Sequence, residues 1–226
     1  MNSLRIEFLN TLLYINPFFY CVMGKIGLKK KRKGCNTYKG AKRPLSKDEV
    51  RKILNLSAIK HRQFALLVLV GCCVGLRVSE LVNVTKQNLQ ARKFTYHASK
   101  QNKNIDKIIL PVFYEWFKDL GFSFASLPDK PFIGAQSRKP LTQNYVAKLL
   151  KRYCKLIGLQ DEEIKNISTH SLRKFYGRNI LDDLGHSLET LRKIQRLYGH
   201  SSIDVTIRYL GYEDEFDNHE LSQITI

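Results

Sequence analysis

A chain of 226 residues can bury a full hydrophobic core, and its 43% hydrophobic and 26% charged residues are ordinary for a folded protein. Its 38 Lys and Arg against 20 Asp and Glu give a formal net charge of +18. This excess predicts attraction to nucleic acid or to an anionic membrane surface; the alternative is a basic face without a specific partner. The five cysteines include no C-x-x-C pair, which argues against disulfides or zinc and favours a reducing compartment.

The N-terminal segment, residues 1–43, divides into an apolar part and a basic linker. Residues 8–23 are rich in apolar side chains, but Asn and Pro residues interrupt them, and the uninterrupted runs are too short to span a membrane. We interpret this part as a helix that packs on the body, an oligomer contact or a poorly ordered extension. Residues 24–43 are basic and contain glycines, which favours a mobile arm that contacts backbone phosphates.

A folded domain is predicted over residues 44–212, and it begins with two helices. Ser46 and Glu49 have the spacing of a capping box, which predicts a helix that runs to about Leu56. The next helix, from Gln63 to about Val74, is apolar on nearly every side. A helix of this kind is buried on all faces, so it is expected to be the centre of the core.

An arginine follows the buried helix directly, in the stretch G-L-R-V-S-E-L. Gly75 ends the buried helix and Arg77 begins the next one. An arginine placed beside a core is costly unless it meets an anion or an acidic partner. Glu80 lies one helical turn later and could orient Arg77. A simple surface pair between the two residues is the alternative interpretation.

The chain then changes to a period of two, which predicts a hairpin. Phe94–Ala98 and Lys107–Pro111 are the expected strands, and residues 100–104 are the expected tip. Lys100 falls at the end of the first strand. A lysine at this position is either a solvated surface residue or a group that the hairpin presents to a ligand.

The remainder is predicted to be helical, apart from loops over residues 121–140 and a turn over residues 161–168. An acidic tail, residues 213–226, follows. The pattern of apolar residues, serine caps and terminal glycines places the helices over these approximate ranges: Phe113–Leu120, Leu141–Ile157, His170–Leu184, Ser187–Tyr198 and Ile203–Tyr209.

Two short clusters in this helical part carry the chemistry. His170 and Arg173 are one turn apart at a helix N-terminus, where free backbone N–H groups favour a phosphate. His200 follows the helix-ending Gly199, and Tyr209 comes nine residues after His200. Proton carriers, a fixed cation and a hydroxyl nucleophile suit chemistry on a phosphodiester. The sequence has no nucleotide-binding or zinc-hydrolase motif, and its acidic residues are too scattered for a two-metal nuclease.

The ordered set of motifs resembles the tyrosine recombinase (phage integrase) family. The matching stretches are G-L-R-V-S-E-L, S-K-Q-N-K, T-H-S-L-R and Y-G-H-S-S-I-D-V-T-I-R-Y, which together cover about residues 45–212. The resemblance implies an α+β, mainly α catalytic domain with a small antiparallel sheet. It also implies a double-stranded DNA partner, a homo-oligomer on DNA that is tetrameric in the active synapse, no role for a membrane, and neither metal nor ATP as a cofactor.

The resemblance also implies a role for each candidate residue in site-specific recombination. Tyr209 would attack the scissile phosphorus and form a 3′-phosphotyrosyl link, with His170 as the proton acceptor. Arg77 and Arg173 would bind the non-bridging oxygens, and His200 would donate a hydrogen bond to the same phosphate. The remaining member, Lys100, would protonate the leaving 5′-oxygen.

Two alternatives stay open at this point. Tyr212 is a second possible nucleophile three residues after Tyr209, although the spacing from the family's histidine favours Tyr209. Residues 1–43 do not resemble the N-terminal helical domain with which the family completes a clamp around DNA. The alternative function is therefore a DNA-binding remnant that has lost recombination. His186, in a second G-H-S stretch, lacks a tyrosine at the matching distance and is interpreted as a turn residue.

Overall fold

The computed structural model describes residues 43–98, 102–134 and 138–212. Two strands, β1 and β2, accompany the helices of these ranges, and none of the described helices is long and apolar enough to cross a membrane. This mainly α architecture confirms the predicted fold class. The elements are α1 (Lys47–Lys60), α2 (Arg62–Val74), α3 (Val78–Leu81), α4 (Lys86–Gln90), β1 (Lys93–Ala98), β2 (Lys103–Ile108), α5 (Val112–Asp119), α6 (Gln143–Leu156), α7 (Asp161–Lys165), α8 (Thr169–Leu184), α9 (Leu188–Tyr198) and α10 (Ile203–Leu210).

Helix α2 is the centre of the larger hydrophobic core, as its sequence predicts. Every residue from Phe64 to Val74 is buried, and α1, α5 and α8 pack around the helix. The predicted capping box starts α1, because Ser46 Oγ accepts the Glu49 N–H at 3.2 Å and Glu49 accepts the Ser46 N–H at 2.8 Å. Helix α1 continues to Lys60 rather than ending near Leu56, since Ser57 and Ala58 still bury their side chains.

A second, smaller core lies at the C-terminal end of the domain. It contains buried residues of α8, α9 and α10 together with Tyr212. Helix α8 takes part in both cores: Leu172 and Phe175 belong to the larger one, whereas Tyr176 and Ile180 belong to the smaller one. The helix therefore joins the two cores. The short segment Asp161–Lys165 before it is helical, which corrects the predicted turn.

The described sheet is one antiparallel hairpin of two strands, with Lys93 paired to Ile108 and Ala98 paired to Lys103. The predicted second strand is displaced: β2 begins at Lys103, and Ile109–Pro111 lie beyond its end. The Leu110 N–H donates to the Cys73 carbonyl at 3.0 Å. This bond ties the segment after β2 to α2, while the Ile109 N–H still donates to the Arg92 carbonyl at 2.9 Å.

Candidate active site

The first arginine lies where α2 ends and α3 begins. Gly75 has φ = 68°, and a Cβ at this position would lie 2.3 Å from Cδ1 of Tyr176, so only glycine fits the turn. Arg77 is then the N-cap residue of α3. Its Nη1 donates to Glu80 Oε1 at 2.9 Å, and its backbone N–H donates to Glu80 Oε2 at 2.9 Å. The predicted orientation of Arg77 by Glu80 is thereby confirmed.

The second arginine is held between the two cores. Arg173 is 2% exposed. Its Nη1 donates to the Gly75 carbonyl at 2.9 Å and its Nη2 donates to the Tyr198 carbonyl at 3.0 Å. Glu80 Oε2 lies 3.8 Å from Nη1, so one carboxylate faces both Arg77 and Arg173. The two carbonyls that Arg173 binds are neutral, so they leave the positive charge of the guanidinium uncompensated. The guanidinium also has further N–H donors that can bind an anion.

His170 lies one turn before Arg173 at the exposed start of α8. Its pKa is lowered by partial burial of the ring first, and then by the positive charges of Arg173, Arg77 and Lys174; Glu80 opposes them. A lowered pKa keeps the imidazole neutral near pH 7. The ring can therefore accept a proton, as a general base requires.

His200 is oriented by a threonine of the last described helix. Its Nδ1 lies 3.1 Å from Thr206 Oγ1, and the Thr206 hydroxyl donates to the Ser202 carbonyl at 3.3 Å. The contact with Thr206 fixes the orientation of the imidazole ring.

Tyr209 packs its ring against two aromatic neighbours and directs its hydroxyl toward the arginines. The ring centroids of Tyr198 and His200 lie 5.5 Å and 5.3 Å away, both in edge-on contact. The hydroxyl oxygen is buried and has no hydrogen-bond partner among the described residues. Burial raises the pKa of Tyr209, and the charges of Arg173 and Arg77 oppose this rise.

The alternative tyrosine lies elsewhere. Tyr212 is 6% exposed and donates to Asp182 Oδ1 at 3.4 Å, on the C-terminal half of α8. Its ring is covered by the Arg178 guanidinium at 4.3 Å and contacts the His186 ring at 4.9 Å. These contacts direct Tyr212 away from Arg77 and Arg173. They also place His186 in the turn between α8 and α9.

Of the cations in this part of the chain, one was predicted from the sequence and one was missed. Lys100 lies outside the described residues, between Ala98 and Asn102. Lys107, on β2, is 1% exposed, and Arg173, Glu80 and Arg77 all perturb its pKa. The sequence reasoning gave Lys107 no role. Its place between Ile105 and Ile109, at a period of two on the buried face, is the signal that could have identified it.

A mainly α domain that brings two arginines, two histidines and a tyrosine together defines the catalytic domain of the tyrosine recombinase class. Comparison of the sequence with known families agrees with this. The profile of the phage integrase family matches residues 43–215, and the chain belongs to this family.

Individual relatives and solved structures are similar to this chain over about three quarters of its residues or more. XerC of Rickettsia bellii (strain OSU 85-389) is 30% identical over 73% of this chain and 52% of that protein. The probable integrase/recombinase YoeC of Bacillus subtilis is 22% identical over 75% of this chain and 89% of that protein. The crystal structure of XerH in a post-cleavage complex with difH DNA has a TM-score of 0.56 and 21% identity, over 82% of this chain and 54% of that one. The chain thus spans about half the length of XerC and of the XerH chain.

Proposed function

We propose that this protein is a site-specific DNA recombinase that cleaves and rejoins strands through a 3′-phosphotyrosyl intermediate on Tyr209. One observation carries the proposal: the buried Tyr209 hydroxyl lies within the electrostatic reach of Arg173 and Arg77 of the same chain. A phosphate bound by the two guanidinium groups would present its phosphorus to this oxygen. The nucleophile and the anion-binding groups therefore belong to one site.

The proposed cleavage step balances as a transesterification. A bond forms between Tyr209 Oη and phosphorus while the bond from phosphorus to the 5′-oxygen breaks. The phenolic proton passes to His170, whose lowered pKa leaves the ring neutral and able to accept it. Arg77 and Arg173 stabilise the charge that develops on the non-bridging oxygens. Lys100 is proposed to protonate the departing 5′-oxygen, and attack by another strand's 5′-hydroxyl reverses the sequence of bonds.

Double-stranded DNA is the proposed partner, because the XerH complex contains DNA and because this chain carries a net charge of +18. Helix α6 adds a local reason. Lys148, Lys151 and Arg152 are exposed on the face opposite its buried residues, where they can bind backbone phosphates. We further propose that residues 44–212 are the catalytic part and that a tetramer forms on two DNA duplexes. Residues 1–43 would then serve as a basic arm, and residues 213–226 as an acidic tail.

A nicked suicide substrate tests the cleavage chemistry. The nick lets the short strand leave after cleavage, so the covalent complex accumulates and survives denaturation. We expect an adduct with the wild-type protein, no adduct with Tyr209→Phe, and an adduct with Tyr212→Phe. Addition of a chelator should leave the yield unchanged.

The two tyrosine variants also define which results would contradict the proposal. An adduct that disappears only in Tyr212→Phe would identify Tyr212 as the nucleophile. DNA binding without an adduct, over a range of family-type core sites, would instead favour the recombination-deficient alternative. Filter binding on the same substrates distinguishes this result from a failure to bind.

A further inference from the structure

Lys107 is a buried lysine that the proposed cleavage step does not use. It lies on the inner face of the hairpin, opposite Phe94 in the ladder and two residues from the buried Ile105. Only 1% of its surface is exposed. A lysine is almost never buried to this degree without a specific partner. Its partner therefore indicates what the side chain does.

The partner is the end of helix α9. Lys107 Nζ donates to the Leu197 carbonyl, and Arg173 Nη2 donates to the adjacent Tyr198 carbonyl. The C-terminus of a helix carries unpaired carbonyls and a partial negative charge, which cations stabilise. Two cations, one from β2 and one from α8, thus hold consecutive carbonyls in the last turn of α9. His200 lies only two residues beyond Tyr198.

The same contact connects the hairpin to the segment that carries His200. Strand β2 follows residue 100 in the sequence, and α9 leads into the turn that contains His200. Lys107 bonds one element to the other across the inner face of the sheet.

We propose that Lys107 is a positioning residue for strand cleavage, which fixes the end of α9, and with it His200, against the hairpin. The inference rests on the proposed function, because the consequence of misplacing His200 is a slower cleavage step. Lys107 does not touch the phosphate in this arrangement, since its ammonium group is enclosed beneath the hairpin. Its effect is transmitted through the Leu197 carbonyl.

Three variants test the proposal. Lys107→Met keeps the length of the side chain but removes the donor, Lys107→Arg keeps the donor and the charge, and Lys93→Met removes an exposed hairpin lysine that pairs with Asp106 at 2.9 Å. Single-turnover adduct formation should fall at least about tenfold in Lys107→Met. It should recover in part in Lys107→Arg and remain unchanged in Lys93→Met.

Global stability separates positioning from folding. Lys107→Met removes a desolvated amine but also leaves the Leu197 carbonyl without this donor, so the two effects oppose each other and the melting temperature should stay close to that of the wild type. A cleavage rate that falls while the melting temperature holds would support positioning. An unchanged cleavage rate in Lys107→Met would overturn the proposal. If Lys107→Met does not fold, the same comparison is made with Lys107→Arg. A cleavage rate below that of the wild type at an unchanged melting temperature would support positioning, and an unchanged cleavage rate would overturn it.

Hydrogen exchange tests the position of α9 without any need for activity. The Gly199 and His200 amides donate to the Arg196 and Gln195 carbonyls at 3.1 Å and 3.0 Å, so they report on the end of α9. In Lys107→Met they should exchange at least about tenfold faster than in the wild type, and in Lys93→Met at the wild-type rate. Unaltered exchange would overturn the inference. Absence of an adduct in the wild type would count against the proposed function only.

The pH profile provides a signature that a purely structural side chain would not give. Burial, then Arg173, lowers the pKa of Lys107 to about 7; Glu80 opposes this and Arg77 adds to it. Tyr96 of β1 lies near the same three charged groups, Glu80, Arg77 and Arg173. The charged amine bonds the carbonyl more strongly than the neutral one. Wild-type cleavage should therefore lose part of its rate as the pH rises through about 7. Lys107→Arg, which stays charged, should lack this decline; a decline retained in Lys107→Arg would contradict the assignment.

Discussion

The two hydrophobic cores of this domain hold different halves of the site. The larger core, centred on α2, ends in the turn that carries Arg77, whereas the smaller core carries His200 and Tyr209 on the turn after α9 and on α10. Of the groups that would bind the phosphate, Arg77 is thus mounted on the larger core and His200 on the smaller one. The proposed nucleophile, Tyr209, is also mounted on the smaller core. This division teaches that anion binding and nucleophile delivery can be perturbed separately.

Arg173 is the exception, because it belongs to both halves. Its guanidinium bonds the Gly75 carbonyl at the end of α2 and the Tyr198 carbonyl at the end of α9. Tyr198 in turn donates its hydroxyl to the Arg173 carbonyl. The residue that is proposed to bind the anion therefore also joins the two cores. Variants of the two arginines should differ in a measurable way.

The largest effect is expected for Arg173→Lys. Lysine cannot reach both carbonyls in the planar geometry of a guanidinium, so at least one buried carbonyl loses its donor. We expect adduct formation to fall by about 10³-fold or more, together with a loss of about 3 kcal/mol in the free energy of unfolding. Suicide-substrate assays and urea denaturation measure the two quantities.

Arg77→Lys is the matched control for this comparison. Its Glu80 pair is 26% exposed on the arginine side, and a pair of this kind contributes little to stability. We expect a loss of adduct formation of about 10²-fold or more, but a change of less than about 1 kcal/mol in the free energy of unfolding. Equal destabilisation by both variants would show that Arg173 does not join the cores as described.

A second prediction breaks the smaller core alone. A Cβ on Gly177 would lie 2.6 Å from the Tyr198 hydroxyl and 2.7 Å from Cδ2 of Leu210, so Gly177→Ala must move α9 or α10. Gly75→Ala acts at the C-terminal end of α2, where its Cβ would meet Tyr176 and the backbone has a φ of 68°. Both substitutions should cost about 3 kcal/mol in the free energy of unfolding.

The two glycine variants should differ in which helices show faster amide hydrogen exchange. Gly177→Ala should increase amide exchange in α9 and α10 and leave α2 protected, whereas Gly75→Ala should also increase exchange at the end of α2. Gly121→Ala is the control for positive φ alone, because nothing lies within 4 Å of its Cβ position. Uniform exchange changes in both test variants would contradict the separation of the cores.

The smallest effect concerns the pH dependence of His170. Its pKa is lowered from 6.5 by partial burial and by Arg173, Arg77 and Lys174. The base is active when neutral, so the acid limb of the cleavage rate should have its midpoint below pH 6.5. The unfolded chain binds this proton at a higher pH than the folded one. The contribution to stability is therefore lost as the pH falls toward the folded pKa and is regained above 6.5.

Titration of the His170 ring by NMR measures this directly. Arg77→Met removes one of the cations that depress the pKa, so the midpoint should move upward in that variant. The Lys93→Met variant, which changes an exposed lysine of the hairpin, should leave it in place. A midpoint above 6.5 in the wild-type protein would contradict the described surroundings of the ring.

Much of the local structure follows from the sequence, because the responsible interactions are themselves local. The capping box of Ser46 and Glu49, the wholly apolar α2 and the glycine after Tyr198 each act within a few residues. The pairing of Arg77 with Glu80 is of the same kind. The candidate residues for chemistry on a phosphodiester were likewise recognisable from short motifs at fixed spacings.

Interactions between distant segments were not predictable in the same way. The bounds of β2 differ from the prediction because its pairing with β1, from Lys93 opposite Ile108 to Ala98 opposite Lys103, fixes the strand, and a period-two pattern does not encode this pairing. The contact of Lys107 with Leu197 joins residues 90 positions apart. The separate surroundings of Tyr209 and Tyr212 also depend on how α8 and α10 pack. The local sequence did not distinguish the two tyrosines, and only the family's spacing from the histidine to the tyrosine favoured Tyr209.

The passage of α8 through both cores has a consequence for heat treatment. The smaller core holds α9 and α10 against the second half of α8, so it can open locally while the first half stays packed on α2. Inactivation on warming should then precede the loss of helical circular dichroism and reverse on cooling. At temperatures between inactivation and the loss of helical signal, the protein should bind DNA without cleaving it. A step back to a lower temperature should then start the first turnover in all molecules together.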